Sequence, residues 1–480
     1  METSVSYVDD IRELMNTIHH NKSPIRKRNL ISFIFQISIH IYSGISVYRD
    51  GRGSMYKNHR YYILLGLILI ISIVTQAQSK TNIEISENET PRTPMSSADG
   101  DFKWNATLDS DGVIYSSGIW ASANYIYTCG YSFAHGSYIA KWTTTGGLMW
   151  QENYTSIIQQ FLHIWGDGEF LYIAGSDLYS IEGIKSVILK CSLQGDIIWQ
   201  RNLTEKIYEI WGYENNLYVC GYADDDYTNY PVGANLFLSK WNTEGDNIWN
   251  TTWENDFRSN GYSIMGNKNY IYVCGWKTGE FGEEILLTKW DDQGTLLWNT
   301  SYTQGTSSKA HGIWVNSNKI TVCGSKSEYG KTNMVIVQWN ENGKILWNSS
   351  TNCPNENYCI GYGIWGDQSN LYCTGNMHQD TFLGDVILGK WTMTGKLVWT
   401  KTWNPLNTGE AASLALYGNG DSLYITGAIQ YAINHTVYSD MFVACLEIEI
   451  RRIPLDFKIF LVSISLIAIV LYFRTKRKSH

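Results

Sequence analysis

A unit of about 49 residues recurs through the middle of the chain and constrains the fold more than any other feature. Each copy contains an Ile-Trp pair, a segment ending in Cys-Gly, a Lys-Trp segment and a Gly followed four residues later by Trp, or close variants of these. The Gly and Trp residues of the last piece are Gly100 and Trp104, Gly146 and Trp150, Gly195 and Trp199, Gly245 and Trp249, Gly294 and Trp298, Gly343 and Trp347, and Gly395 and Trp399. Four short apolar or alternating runs per unit predict four strands, which is typical of β-propeller blades.

The order of the pieces predicts how the ring closes. Residues 99–108 contain only the fourth piece of a unit, whereas the last unit, 414–448, has the first three pieces and lacks the fourth. The N-terminal strand should therefore complete the last blade and protect its edge. The sequence predicts an all-β, seven-bladed β-propeller over residues 98–450, in which the repeated Trp side chains pack between blades.

Two kinds of segment carry a resemblance to known repeat families. The sequences LYVCGY at 217–222 and LFLSKWNTEGDNIWNTTW at 236–253 resemble the SBBP-type β-propeller repeats of bacterial and archaeal surface proteins. NENGKILW at 340–347 is similar to the tryptophan-docking motif of quinoprotein propellers. The resemblance implies a propeller on a membrane-anchored prokaryotic, archaeal surface protein, and it implies no particular function, because such repeats occur on proteins of many kinds.

Apolar segments flank the repeats on both sides. Residues 61–74 form an uncharged run preceded by basic residues and followed by Thr75-Gln76-Ala77, which predicts a secretory signal over 55–78 and a linker over 79–97. Residues 1–54 would then lie upstream of a true start at Met55; alternatively the segment is an uncleaved signal anchor and 1–54 form a cytoplasmic arm. Residues 453–473 approach the ~20 residues that span a bilayer. They predict a transmembrane helix ahead of a basic cytoplasmic tail, 474–480.

The charge distribution agrees with this topology. Residues 1–60 carry a balance of +4 and residues 451–480 one of +6, so the stated net charge of −8 leaves −18 on residues 61–450. An acidic body argues against nucleic acid as a partner, because it offers nothing to neutralise phosphates. We therefore expect a cell-membrane protein with its propeller outside the cell, crossing the membrane once, or twice if the signal is not cleaved.

The chain carries none of the common catalytic or cofactor-binding motifs, so we expect no catalytic residues, no cofactor and no metal. The Cys-Cys dipeptide usual in quinoproteins is missing from it. The run of Asp224, Asp225 and Asp226 could hold Ca²⁺, but it reads better as a solvated acidic loop. Cys353 and Cys359 flank a short polar loop and are the predicted disulfide of an exported protein.

The residues just before each Ile-Trp pair are the candidate ligand site. The residue directly before the Trp is always Ile or Leu, whereas those two and three positions before the Trp, or before its equivalent, vary from unit to unit. Variable residues at the mouth of a uniform ring are where a site would be built. The candidate ligand-binding residues are His163, Glu209, Tyr262, His311 and Tyr362. Alternatively these side chains only line a solvated channel.

Sequons for N-glycosylation follow the fourth-strand Trp in six of the seven units. They lie one or three residues after the Trp and so point to one face of a strand. The predicted glycosylation sites are Asn105, Asn153, Asn202, Asn250, Asn299 and Asn348, with Asn88 and Asn434 outside this pattern. Copying of an Asn- and Thr-rich strand between repeats is the alternative explanation.

Three functions fit these observations. The first is a binding or adhesion scaffold for a protein or glycan, displayed by its membrane anchor. The second is an extracellular propeller enzyme, either quinoprotein-like or glycan-cleaving. The third is a structural envelope component. A rigid ring with a tether and no catalytic motif favours the first.

Overall fold

The computed structural model describes residues 100–448, apart from 109–112, 158, 178–184, 224–233, 255–257, 352, 354–357, 379–383, 405–409, 420–421 and 434–435. Every regular element in this part of the chain is a β-strand. The described residues contain no helix long and apolar enough to span a membrane. Residues 55–78 and 453–473, predicted to be a signal and a membrane helix, lie outside the described residues.

The strands pair in antiparallel groups of four, in chain order. Strand β1 is Phe102–Leu108; β2–β5 are Ile114–Ala121, Tyr125–Ser132, Gly136–Thr143 and Leu148–Tyr154; β6–β9 are Gln160–Gly166, Phe170–Ser176, Ser186–Ser192 and Ile197–Leu203; β10–β13 are Lys206–Tyr213, Asn216–Ala223, Asn235–Asn242 and Asn247–Trp253; β14–β17 are Ser259–Gly266, Tyr270–Thr278, Glu283–Asp291 and Leu296–Tyr302; β18–β21 are Ser307–Asn316, Lys319–Glu328, Lys331–Asn340 and Ile345–Ser350; β22–β25 are Tyr358–Gly366, Asn370–His378, Asp385–Thr392 and Leu397–Trp403; β26–β28 are Glu410–Asn419, Ser422–Ile433 and Thr436–Glu447. One parallel pairing, Thr332 with Tyr358, joins two of these groups into an eight-stranded sheet. The fold is therefore all-β and built from repeated four-stranded units.

Burial within a unit follows the hydrophobic pattern of each strand. The second and third strands, such as β11 and β12, are buried along nearly their whole length, as expected for strands covered on both faces. The fourth strand alternates between exposed and half-buried residues, as in β13. The core of each unit therefore lies on its middle strands, and the fourth strand forms the outer, solvent-facing edge.

The repeated Gly and Trp of the fourth piece connect neighbouring units. Gly245 has a φ of +84°, and a methyl group placed on it would lie 3.0 Å from the ring of Trp199 in the preceding unit. The Trp199 Nε1–H donates to the Thr243 carbonyl, 3.1 Å away, in the same turn. Lys190 donates to that carbonyl as well, at 3.0 Å. The turn therefore needs Gly for its left-handed backbone and for the ring that packs against it.

The N-terminal strand completes the sheet of the last unit. Strand β1 pairs antiparallel with β28, with Trp104 opposite Cys445. Gly100 receives the ring of Trp399, and the Trp104 Nε1–H donates to the Thr144 carbonyl of the first unit at 3.0 Å. The first and last units thus contact each other as consecutive units do, and the arrangement is that of a β-propeller.

Candidate functional site

Every first strand contains a β-bulge at the same place. In β10, Ile207 pairs with Gly221 and Glu209 with Cys220, so Tyr208 has no residue opposite it. The same irregularity recurs in all first strands. The bulged residues are Ser117, Leu162, Tyr208, Tyr262, His311, Tyr362 and Leu414. A bulge redirects a side chain, and here it affects the position three residues before the Trp in each unit.

The glycine of the Cys-Gly segment makes room for this bulge. Gly221 lies opposite the bulge of β10, and a methyl group on it would overlap the carbonyl oxygen of Lys206. Gly324 stands in the same relation to the carbonyl of Lys309. The second strand carries glycine at this position in every unit, and at Gly221 and Gly324 a side chain would collide with a first-strand carbonyl.

The bulged residues and their neighbours line a single cavity of about 500 Å³. All five residues predicted from the sequence to form a ligand site line this cavity, and none lies elsewhere. These residues are His163, Glu209, Tyr262, His311 and Tyr362. The geometry brings them together from five consecutive units, and their role in binding remains a prediction.

Four aromatic rings from consecutive first strands form a continuous arc along the cavity wall. The rings of Tyr208 and Tyr262 meet edge to face with centroids 4.9 Å apart. Tyr262 and His311 are stacked at 5.4 Å, and His311 lies 5.1 Å from Tyr362. The remaining bulged positions carry Ser117, Leu162 and Leu414, so the other side of the cavity lacks rings at this level. We call the four rings the aromatic arc.

A histidine and a carboxyl meet beside the arc. His163 Nε2 lies 3.3 Å from Glu209 Oε1, and the Ile264 N–H donates to Glu209 Oε2 at 3.1 Å. Burial raises the pKa of the Glu209 carboxyl to about 8, although hydrogen bonds from Ser263 and Ile264 oppose the shift. Burial lowers the pKa of His163 to about 4. At neutral pH the pair is therefore a protonated acid beside a neutral imidazole, which removes the charge from this wall.

Two further side chains of the cavity, His311 and Tyr362, have shifted pKa values that favour their uncharged forms. Burial, together with the charge of Lys309, lowers the pKa of His311 to about 4. Burial raises the pKa of Tyr362 to about 12. Glu209 is the one carboxyl among the described residues that line the cavity, and no Lys or Arg lines it. The described lining can therefore offer hydrogen bonds and aromatic surface, and its one carboxyl has a pKa raised toward the uncharged form.

Sequence reasoning left two contributors out of the candidate set. Tyr208 begins the aromatic arc, and Ser263 Oγ accepts the N–H of Ile313 at 3.2 Å, which links two units at the cavity wall. Both occupy the variable positions ahead of the Ile-Trp pair or its variant Ile264-Met265. The repeat alignment alone could have included them, whereas their contacts depend on the bulge.

The remaining predicted positions lie away from the cavity. Cys353 and Cys359 are joined by a disulfide with their Cα atoms 6.0 Å apart, and the other seven cysteines are buried thiols. Six sequon asparagines are exposed on the fourth strands: Asn105, Asn153, Asn202, Asn250, Asn299 and Asn348. Asn88, Asn434 and the run 224–226 lie outside the described residues. Within the described ranges, no three His, Cys, Asp or Glu residues are grouped as a metal site requires.

Comparisons with known proteins do not assign the chain to a family. No protein-family model and no curated protein matches the chain. Among solved structures, the chain is similar to BamB from Moraxella catarrhalis (10% identity, TM-score 0.41, 72% of this chain and 99% of that one). It is also similar to Sqt1 from Chaetomium thermophilum (10%, 0.43, 72% and 100%) and to the polysaccharide lyase Uly1 (8%, 0.46, 72% and 100%). These similarities are too low to carry an argument, and the β-propeller architecture rests on the chain's own sheets and closing contacts.

Proposed function

We propose that this chain is a seven-bladed β-propeller that is displayed outside the cell from a C-terminal membrane helix and binds a neutral glycan in its cavity. Seven blades follow if each antiparallel group of four strands is one blade and β1 serves as the fourth strand of the last. The stacking of each fourth-strand Trp on a glycine of the next unit supports a single closed ring.

The proposed location of the propeller outside the cell is supported by the sequence of the flanking segments. Residues 55–78 have the order of regions of a secretory signal, and the basic residues after 473 favour the cytoplasmic side. The Cys353–Cys359 disulfide is the kind of bond that persists in an oxidising compartment. Protease added to intact cells should degrade the propeller, and protection of the propeller until the cells are lysed would refute this address.

The aromatic arc is the observation that carries the binding proposal. Sugar rings present apolar C–H groups and hydroxyl groups, and aromatic side chains such as Tyr and His offer both apolar surface and polar atoms to them. Tyr208, Tyr262 and Tyr362 are half-buried, so each leaves part of its ring open to the cavity. Because Tyr262 and His311 stack on each other and Tyr208 meets Tyr262 edge to face, the arc offers a continuous wall of ring edges and polar atoms to a chain of sugar units.

The neutral pair explains why the ligand should be uncharged. The Glu209 carboxyl, protonated at neutral pH, can donate one hydrogen bond, and it can accept others from hydroxyl groups. A carboxylate ligand would meet no cation among the described cavity residues, and a cationic ligand would meet a carboxyl whose raised pKa disfavours the charged form. The burial of an unpaired charge would cost several kcal/mol, so both are disfavoured.

Calorimetric titration with a panel of neutral oligosaccharides tests the proposal. Replacement of Tyr262 by Ala removes the middle of the arc and should weaken the best ligand by about tenfold. The variant His163→Ala/His311→Ala should also lose affinity while it stays folded. The matched control is Phe281→Ala, which removes a ring that is 82% exposed outside the cavity. Equal affinity in all variants, or binding only of proteins from envelope extracts, would refute a glycan site in the cavity.

A glycan-cleaving enzyme is the second candidate, favoured by the state of Glu209. A carboxyl that keeps its proton up to a pH of about 8 is suited to act as a general acid, and His163 lies beside it. In that case Glu209→Gln should abolish the release of new sugar ends while ligand affinity is retained. Absence of any product from oligosaccharides that bind would leave the scaffold as the function.

A further inference from the structure

The outer strands pair sequons with exposed apolar side chains. The residue directly before each fourth-strand Trp is apolar in six units, with exposed fractions between 46% and 50%. These residues are Met149, Ile198, Ile248, Leu297, Leu346 and Val398. Large apolar side chains that recur on one solvent-facing edge require either a partner or a cover. This band does not line the cavity. The inference drawn from it rests on the proposed location outside the cell and not on ligand binding in the cavity.

In three consecutive units a sequon follows shortly after the exposed apolar residue. Asn250, Asn299 and Asn348 each stand two residues after the apolar residue, and each is exposed. Ile248, Leu297 and Leu346 are the bulged residues of β13, β17 and β21. Each lies two residues, or about 7 Å, along the strand from its asparagine, which is within the reach of the first sugar of an N-linked glycan. We propose that these three asparagines carry N-linked glycans whose first sugars pack on Ile248, Leu297 and Leu346.

Local hydrogen bonds leave the reactive atom of Asn250 available. Asn250 Oδ1 accepts from Ser239 Oγ and from Asn247 Nδ2, each at 2.6 Å. These two contacts hold the side chain through its oxygen, so Nδ2, to which sugar is attached, faces away from them. Asn299 and Asn348 occupy the corresponding exposed positions of β17 and β21.

The edge position gives the modification a physical consequence. Each fourth strand has one unpaired edge, and an exposed apolar edge strand invites pairing with another chain. A glycan on that strand blocks the approach and covers apolar surface at the same time. The apolar band is thus occupied by sugar attached to the chain itself.

The chemistry is a glycosyl transfer from a lipid-linked phosphate or diphosphate donor. An oligosaccharyltransferase catalyses it at the membrane face from which the chain emerges. The bond between sugar C1 and the phosphate oxygen breaks, and the lipid phosphate leaves with the electron pair. The bond between C1 and Asn Nδ2 forms, and Nδ2 loses one proton.

Glycopeptide mass spectrometry of native material is the first test. Peptides with Asn250, Asn299 and Asn348 should carry sugar. Bare asparagines at these three sites would overturn the proposal, whatever the result for the other sequons. Asn105 provides an internal comparison, because the residue two before it is Lys103 and offers no apolar surface.

A double-mutant cycle tests the packing of sugar on the apolar residue. Leu297→Ser, Asn299→Gln and the combined variant are made in a host that glycosylates and in one that does not. In glycosylated protein, Leu297→Ser should lower the melting temperature by about 1–2 °C, and this loss should vanish when Asn299 is replaced. In unglycosylated protein, the effects of the two substitutions on the melting temperature should be additive. If the interaction between the two substitutions were equally large in both hosts, the proposed packing of sugar on Leu297 would be wrong.

Val398 supplies the matched control. It occupies the same strand position, is 49% exposed compared with 46% for Leu297, and is followed two residues later by Thr400 instead of a sequon. Val398→Ser should therefore shift the melting temperature equally in both hosts. A host-dependent shift at Val398 as large as that at Leu297 would show that the effect does not come from the adjacent glycan.

Discussion

At the scale of single residues, the raised pKa of Glu209 is a property that the repeat sequence does not predict. It occupies a variable position at which other units carry Gly, Ser, Ala or His. Its 18% exposed side chain touches His163 and accepts a backbone N–H, yet no cation faces it in the cavity lining. Burial without a compensating charge is the physical reason why the acid holds its proton.

The shifted groups of the cavity predict the pH dependence of stability. The pKa of Glu209 is raised from 4.5 to about 8, so its stabilising contribution is complete below pH 4.5 and is lost as the pH rises to 8. The pKa values of His163 and His311 are lowered from 6.5 to about 4, so their contributions are lost as the pH falls from 6.5 to 4. These three groups together predict a maximum near pH 6.5.

Urea unfolding between pH 5 and 8.5 checks this prediction. The free energy of unfolding should fall by up to about 2 kcal/mol between pH 6.5 and 8 in the wild type. In Glu209→Gln, which cannot titrate, this decline should disappear. A variant that declines as the wild type does would show that Glu209 is ionised in the folded protein at neutral pH.

At the scale of elements, the bulge links the repeat to the candidate site. The glycine in the second strand opposes the bulge, and the bulge lets one residue of the first strand escape from the ladder. At Gly324 the two strands leave no space for a side chain, because an added methyl group would overlap the Lys309 carbonyl. Gly175 has more space, because a methyl group added there would lie 3.0 and 3.1 Å from its closest neighbouring atoms.

The difference between these two glycines predicts unequal effects of the same substitution. Gly324→Ala should lower the free energy of unfolding by roughly 2–4 kcal/mol, because the bulge that presents His311 must shift. Gly175→Ala should cost about 1 kcal/mol or less, since its neighbours need to move only a few tenths of an ångström. Chemical denaturation measures both. Equal losses would contradict the role given to the bulge.

At the scale of the whole molecule, the closing strand holds together residues 300 or more positions apart. Strand β1 pairs with β28, and Phe102 stacks on Trp403 with centroids 4.2 Å apart. The Lys401 ammonium lies 2.8 Å from Asp101. Because this contact is partly exposed, the pairing and the ring packing should contribute more to stability than the ion pair does.

Removal of the closing strand should destabilise the propeller as a whole. A chain that begins at residue 109 lacks β1 and exposes the edge of β28, so its melting temperature should fall by roughly 5–10 °C. A chain that begins at residue 98 retains β1 and serves as the control. Calorimetry compares the two. Identical melting would mean that the pairing of β1 with β28 contributes nothing to stability.

The sequence by itself determined the features that repeat. The four-strand unit, the glycines that receive Trp rings and the variable positions ahead of Ile-Trp recur at a nearly fixed spacing, and the closing strand follows from the piece that the last unit lacks. Each is dictated by contacts that every unit makes with its neighbour, so seven copies of the pattern reveal them. Even the exposed face of the sequons follows from strand alternation alone.

Only the tertiary structure decided what the variable positions do. The arc of Tyr208, Tyr262, His311 and Tyr362 joins residues about 50 positions apart, and it exists because a bulge turns each one toward the same cavity. The raised pKa of Glu209 likewise depends on enclosure by three units, which no single repeat encodes. Ring contacts and desolvation depend on distances through space, and those are set when the ring closes.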